Sequence, residues 1–231
     1  MTRLFAFGCS FTNYLWSTWV DCLAPEFDYV ENWGQAGGGN HFIFNSLMEA
    51  DQRHQFGAGD TVIVCWTSTM REDRYTDQWQ TIGAFNTKIY DPGYLREWIT
   101  ERGCLIRDLA MIKAAKVLLE SRPDVNWKFL SMCHVMPPYN YNSETSTEKD
   151  IYELYNNVLD SILPSYYEVV YKDGGWIDRN GNSHPTPLEH LQYIDNVLPG
   201  WVTKTETRAK MQQETDNLQS RKTTLSTVTR L

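Results

Sequence analysis

The chain has no CxxC pair and no even set of cysteines. Its five (Cys9, Cys22, Cys65, Cys104 and Cys133) are scattered, and Cys65 and Cys133 lie within apolar runs, as small reduced core residues do. This argues against a disulfide framework and against a zinc site. Synthesis in a reducing cytoplasm is the expectation. Basic charge is also short: 21 Lys and Arg face 29 Asp and Glu, giving a formal charge of −8 and a pI near 5.1. Such a balance does not suit a surface that coats nucleic acid. No uncharged apolar run is long enough to span a bilayer, so no membrane partner is expected. The first residues lack the basic region, apolar core and small-residue cleavage site of a secretory signal. No GxGxxG or Walker pattern and no internal repeat is present.

What remains is a chain of 231 residues, 42% hydrophobic and 13% aromatic, with nine Trp and thirteen Tyr. That is enough to bury a substantial core. Five short apolar runs read as strands: 4–9, 27–31, 61–66, 127–134 and 167–171. Most lack alternation, as expected where both faces of a sheet are covered. Helical patterns separate them at 13–23, 40–53, 104–121, 150–163 and 187–198. Strands alternating with helices imply an α/β fold, a parallel sheet with helices on both faces. Residues 70–100 and 137–147 interrupt the alternation, and long insertions of this kind form lids, binding walls or ordinary packing. The body is assigned to residues 1–202. From 203 to 231 the composition shifts to six Lys and Arg against three acids, with Met211, Leu218 and Leu225 at seven-residue spacing. This cationic tail is either a docking or oligomerisation helix or a solvated terminus.

In such sheets ligands bind at the carboxyl ends of the strands. Ser10, Gly37 and Ser68 all follow expected strands. Gly8-Cys9-Ser10-Phe11-Thr12 presents a serine on a tight turn after the first strand, and the expected helix 13–23 would aim its N-terminus at it. The segment from Asn32 to Asn40 holds Gly34, Gly37, Gly38 and Gly39, which let main chain approach a ligand closely. A serine hydroxyl needs a base to act as a nucleophile. His184, in a Gly/Asn/Pro loop, is the natural candidate. The backbone N–H groups of Ser10 and Gly37, with Ser68, are candidate donors to a developing oxyanion. His41, His54, His134 and His190 read as structural, with His190 near enough in sequence to touch the site.

These segments in this order resemble the SGNH/GDSL hydrolase superfamily: Gly8-Cys9-Ser10-Phe11-Thr12, Asn32-x-Gly34-x-x-Gly37-x-x-Asn40, a polar turn after the third strand, and His184-Pro185. The resemblance spans residues 3 to 200. It implies a three-layer α/β/α sandwich, flavodoxin-like, with a five-stranded parallel sheet. It also implies a serine hydrolase acting on esters or on acetyl groups of carbohydrates, without metal or organic cofactor. Ser10 is then nucleophile and first oxyanion donor, Gly37 the second donor and His184 the base, with Asn40 and Trp66 as substrate contacts. Three departures stand out. Cys9 replaces the usual Asp, Trp66-Thr67-Ser68-Thr69 replaces Gly-x-Asn-Asp, and Gly181 stands where an Asp normally precedes the histidine. Asp178 or Asn182 would have to orient the imidazole, or a Ser-His dyad acts alone.

The expected partner is an ester or acetylated glycan, since Trp and Tyr faces stack on sugar rings. The resemblance extends to divergent chains of tailed bacteriophages, which implies a virion-borne enzyme mounted through its tail. The alternative is a catalytically impaired relative that binds glycans or builds the virion. A phosphate binder using the glycine segment is the third reading.

Overall fold

The computed structural model describes residues 1–84, 90–135, 146–171 and 184–228. Four parallel strands form the central sheet: β1 (Arg3–Phe7), β2 (Tyr29–Asn32), β3 (Asp60–Trp66) and a later strand, Asn126–Ser131, in the spatial order β2, β1, β3, Asn126–Ser131. Between β3 and that last strand lie an antiparallel hairpin, β4 (Arg71–Tyr75) with β5 (Trp79–Ala84), and two helices, so Asn126–Ser131 is β6. The helices are α1 (Trp19–Leu23), α2 (Asn40–His54), α3 (Pro92–Trp98), α4 (Glu101–Glu120), α5 (Ser146–Leu159), α6 (Tyr166–Val169), α7 (Pro187–Val197) and α8 (Thr205–Val228).

Successive strand residues point to opposite faces, and each face is apolar. Leu4 and Ala6 of β1, Ile63 and Cys65 of β3 and Leu130 of β6 meet Trp19 and Leu23 of α1, Leu191 and Ile194 of α7 and Met211 of α8. Phe5, Phe7, Val62, Val64 and Phe129 meet Ile43 and Leu47 of α2, Leu109 and Ile112 of α4 and Val158 of α5. Each fully buried side chain of this size contributes about 1.5–3 kcal/mol. The two cores make a three-layer α/β/α arrangement.

The sheet departs from the five strands expected. Residues 167–171 are not a strand: α6 occupies Tyr166–Val169. Ser165 and Glu168 form a capping box, with the Ser165 N–H donating to Glu168 Oε2 at 2.6 Å. That local pattern outweighs the β propensity of Tyr and Val. The fifth position is held instead by a single parallel bridge between Phe129 and Ile162, where Leu163 N–H donates to Phe129 O at 2.8 Å. The helix expected from residue 13 begins only at Trp19, because Thr18 caps it with Asp21 in a second capping box. Its N-terminus therefore does not serve the Ser10 turn. Segment 70–100 is no simple loop, since it carries the β4–β5 hairpin and α3. Segment 137–145 lies outside the described residues.

The first half of α8 packs onto the body. Thr207, Met211 and Thr215 are buried. Thr215 Oγ1 accepts from Leu188 N–H at 3.0 Å, and Arg208 pairs with Asp195 at 2.6 Å. No helix among the described residues is long and apolar enough to cross a membrane.

Candidate active site

Ser10 sits on a tight turn just past the end of β1. Thr12 N–H and Asn13 N–H both donate to Cys9 O, at 2.9 and 3.2 Å. Thr12 fixes this turn and is wholly buried. Its carbonyl accepts from Thr18 Oγ1 and from Asn32 Nδ2, each at 2.8 Å, and Trp19 Nε1 donates to its hydroxyl at 3.2 Å. A Cβ on Gly8 would overlap the Thr12 hydroxyl, so the turn closes this tightly only because residue 8 is glycine. Asn32 ties the serine turn to the glycine segment, since its Oδ1 also accepts from Gly34 N–H at 2.9 Å. Gln35 N–H completes the junction by donating to Gly8 O at 3.1 Å.

His184 arrives from the opposite end of the chain. Its Nε2 lies 2.8 Å from Ser10 Oγ. The Tyr14 ring stacks on the imidazole at 3.8 Å and 13°, and Phe11 lies tilted at 5.7 Å. Trp16 Nε1 donates to Pro185 O at 2.7 Å, and α7 begins two residues later under a Thr186–Glu189 capping box. The ring is thus held by residues 11 to 16 on one side and the start of α7 on the other. Burial, with the Arg71 cation second, lowers the His184 pKa to about 4. The imidazole is therefore neutral at pH 7 and able to accept a proton.

Ser10, His184, Gly37, Tyr14, Met132 and Arg71 line one cavity of about 280 Å³. Gly37 holds a φ of 77°, and a Cβ there would overlap the Thr81 carbonyl of β5. Only glycine fits this combination. Among the described residues neither the Ser10 nor the Gly37 amide N–H has an acceptor. Both backbone donors expected at the site therefore border the cavity that holds the serine hydroxyl.

Three expected contacts lie elsewhere. Trp66 is fully buried against Phe129 at 5.4 Å and belongs to the core, because β3 carries it onto the α2/α4 face. Asn40 is also fully buried and works as a strut. Its Nδ2 donates to Thr67 O at 3.0 Å and to Asp108 Oδ2 at 2.7 Å, while its Oδ1 accepts from Thr67 N–H at 2.9 Å. Neither can touch a substrate. Ser68 does not line the cavity, and its Oγ accepts from Met70 N–H at 3.2 Å. Asp178, Gly181 and Asn182 lie outside the described residues. His190 is buried, 2.7 Å from the Tyr166 hydroxyl, and supports Phe11 edge-on at 6.2 Å. Among the described residues no cluster of His, Cys, Asp and Glu is arranged to hold a metal.

Sequence reasoning misses Arg71, Tyr14 and Met132. Arg71 is the first residue of β4, and its Nη1 donates to Gly38 O at 2.9 Å. The hairpin rests on the glycine segment through Asp73, which accepts from Gly39 N–H at 2.8 Å and Phe42 N–H at 2.9 Å. Burial raises the Asp73 pKa against those two N–H donors. The only sequence signal is a cation five residues past a strand end, within a segment that reads as a possible wall.

Solved structures provide the comparison. The chain is similar to GDSL-type lipolytic proteins. A member of the lipolytic G-D-S-L family from Veillonella parvula shares 11% identity over 86% of this chain and 98% of its own, with a TM-score of 0.45. A psychrotrophic esterase from Pseudoalteromonas sp., inhibited by monoethylphosphonate, shares 12% over 88% and 100%, at 0.44. An acetyl xylan esterase from Geobacillus stearothermophilus shares 15% over 88% and 96%, at 0.42. No family model and no curated protein matches the chain.

Proposed function

We propose that the protein is a serine hydrolase of SGNH type that cleaves short-chain carboxylic esters, with Ser10 as nucleophile and His184 as general base. The observation supporting this most directly is the 2.8 Å contact between Ser10 Oγ and His184 Nε2 beside two backbone N–H groups that have no acceptor among the described residues. With its proton on Nδ1, the imidazole accepts the Ser10 proton through Nε2 as Oγ bonds to the ester carbon. The Ser10 and Gly37 amides receive the developing oxyanion. Collapse expels the alcohol, which takes the proton back from His184, and water repeats the sequence to free the acid.

Substrate class follows from the size and chemistry of the walls. The 280 Å³ cavity has Phe11, Tyr14 and Met132 around the serine and suits a small acyl group such as acetyl. Tyr14 also borders a neighbouring recess of about 510 Å³ with Trp16, Asp21, Asn32, Glu214 and Asn217 on its walls. Aromatic faces beside amide and carboxylate groups suit a sugar alcohol as leaving group, so an acetylated carbohydrate is the proposed substrate.

Labelling with a fluorophosphonate and turnover of p-nitrophenyl acetate test the reading. Wild type should label at Ser10. Ser10→Ala and His184→Ala should lower kcat/KM on the order of 10⁴-fold or more with the fold intact. Well-folded wild type that neither labels nor turns over any acetyl ester would leave the chain a binding protein.

A further inference from the structure

Arg71 brings a permanent charge into the cavity of Ser10 and His184, and among the described residues nothing neutralises it. The acids around it are otherwise committed. Glu72 pairs with Arg74 and Arg107 at 3.1 and 3.0 Å, Asp73 caps α2, and Asp108 pairs with Arg107 at 2.7 Å. Among the described residues Arg71 has no carboxylate partner. Its Nη1 is anchored on Gly38 O, one residue past Gly37, and among the described residues its Nη2 meets only the weakly accepting Met132 Sδ at 3.5 Å. A guanidinium carries five N–H donors, so several remain uncommitted.

The placement is also rigid. Arg107 Nη2 donates to Arg71 O at 2.8 Å, and Arg107 is itself held by Asp108 and Glu72. A break in the β4–β5 register falls between Arg71 and Asp73, the kind of irregularity that re-aims side chains beside functional sites. Meanwhile the turn after β3 sends no side-chain donor into the cavity, since Ser68 is turned to Met70 N–H.

We propose that Arg71 is a catalytic residue whose guanidinium completes the oxyanion site, as a third, cationic donor beside the Ser10 and Gly37 amides. The inference rests on the ester-hydrolase reading. As Ser10 Oγ bonds to the carbonyl carbon, the π pair moves to the carbonyl oxygen, and the proton goes to His184 Nε2. Arg71 donates hydrogen bonds to that oxygen and gives up no proton. When the pair returns, the bond to the alcohol oxygen breaks and His184 protonates it. A fixed cation in a partly dry cavity favours the anionic intermediate more than a neutral amide does. The same cation disfavours the imidazolium, so the site trades base strength for oxyanion stabilisation. Among the described residues, the charged and titratable groups around the imidazole include Arg71 from β4, Tyr14 from the β1–α1 loop and His190 from α7.

The test compares wild type, Arg71→Gln and Arg71→Lys on p-nitrophenyl acetate, a neutral ester, and on an ester with a carboxylate in its acyl group. Thermal unfolding and circular dichroism check the fold. Arg71→Gln should lose about 10²–10³-fold in kcat on the neutral ester with KM nearly unchanged. Arg71→Lys, keeping charge without the fork, should recover part of that loss. The acid limb of kcat/KM should move to higher pH in Arg71→Gln and stay near wild type in Arg71→Lys, which a merely structural role would not produce. Unchanged kcat on the neutral ester in both folded variants, with KM raised only for the anionic ester, would overturn the proposal and make Arg71 a substrate anchor. If Arg71→Gln does not fold, Arg71→Lys decides: a partial loss of kcat on the neutral ester at wild-type stability, with KM nearly unchanged and the acid limb unmoved, supports the role, and kcat equal to wild type overturns it. Wild type inert toward both esters and toward fluorophosphonate fails the hydrolase reading itself.

Discussion

At Gly8 an added methyl would overlap the Thr12 hydroxyl and stand 3.2 Å from Cys65 Cβ, both of them on buried residues. Neither neighbour is the loose end of a flexible side chain. Gly8→Ala should therefore destabilise by about 1–3 kcal/mol, lowering Tm by about 2–4 °C for each kcal/mol in a chain of this size. It should also cut turnover, because Thr12 sets the turn that carries Ser10. Thermal unfolding with p-nitrophenyl acetate kinetics checks both, and a Gly8→Ala variant with wild-type Tm contradicts the packing argument. Asn40 makes the opposite case. Its place in the glycine segment suggests a substrate contact, yet its three hydrogen bonds are all internal. Asn40→Ala leaves Thr67 N–H and the Asp108 carboxylate short of a partner inside the core. A loss of about 2–4 kcal/mol in urea unfolding is expected, since each stranded buried group costs about 1–3 kcal/mol. KM should not change, as the residue is out of reach of the cavity.

The hairpin is where sequence reading and structure diverge most usefully. Strands β1, β3 and β6 were legible because uninterrupted apolar runs have one reading when both faces are covered. The serine turn, the glycine segment and His184 were legible because glycine and proline mark places where the backbone must do something unusual. Arg71 was not legible, since its meaning depends on where β4–β5 folds back, and no local pattern encodes that docking. Residues 167–171 misled for a related reason: a capping box upstream overrode a strand-like composition. Asp73 is the hinge of the docked hairpin, joining β4 to two N–H groups at the start of α2. Asp73→Ala should cost about 1–2 kcal/mol, as the loss of a helix cap does. It should also release Arg71 and Gly37 together, lowering kcat more than the change in stability accounts for. Hydrogen exchange at Gly39 and Phe42 would report the loosening, and protection equal to wild type would remove the hairpin's role as clamp.

Over the whole molecule, among the described residues, buried His190 and half-buried His184 face two buried carboxyls, Asp108 and Asp73, in the response to acid. Asp73 acts in the same direction as Asp108, because burial raises its pKa as well. His190 is fully enclosed, and burial, with His184 second, lowers its pKa from 6.5 to about 3. Its folded form is neutral, so the stability tied to it is complete above pH 6.5 and drains away as pH falls toward about 3. His184 acts in the same direction between 6.5 and about 4, more weakly because solvent reaches the cavity. Asp108 opposes them. Burial raises its pKa from 3.8 to about 6 despite the Arg107 hydrogen bond, so the folded protein takes up that proton first and gains relative stability between those values. The His190 loss spans the widest interval, from 6.5 to about 3, and together with that of His184 it outweighs the carboxyl gain, which predicts a Tm that declines from about pH 7 to about pH 4. His190→Gln keeps a polar partner for the Tyr166 hydroxyl but cannot be protonated, so its decline should be shallower than that of wild type. Parallel Tm curves for the two proteins across that range would show that the acid response arises elsewhere. Because His190 supports Phe11, and Phe11 lies against the His184 imidazole, the same substitution should lower kcat modestly at neutral pH while leaving Ser10 able to react with fluorophosphonate.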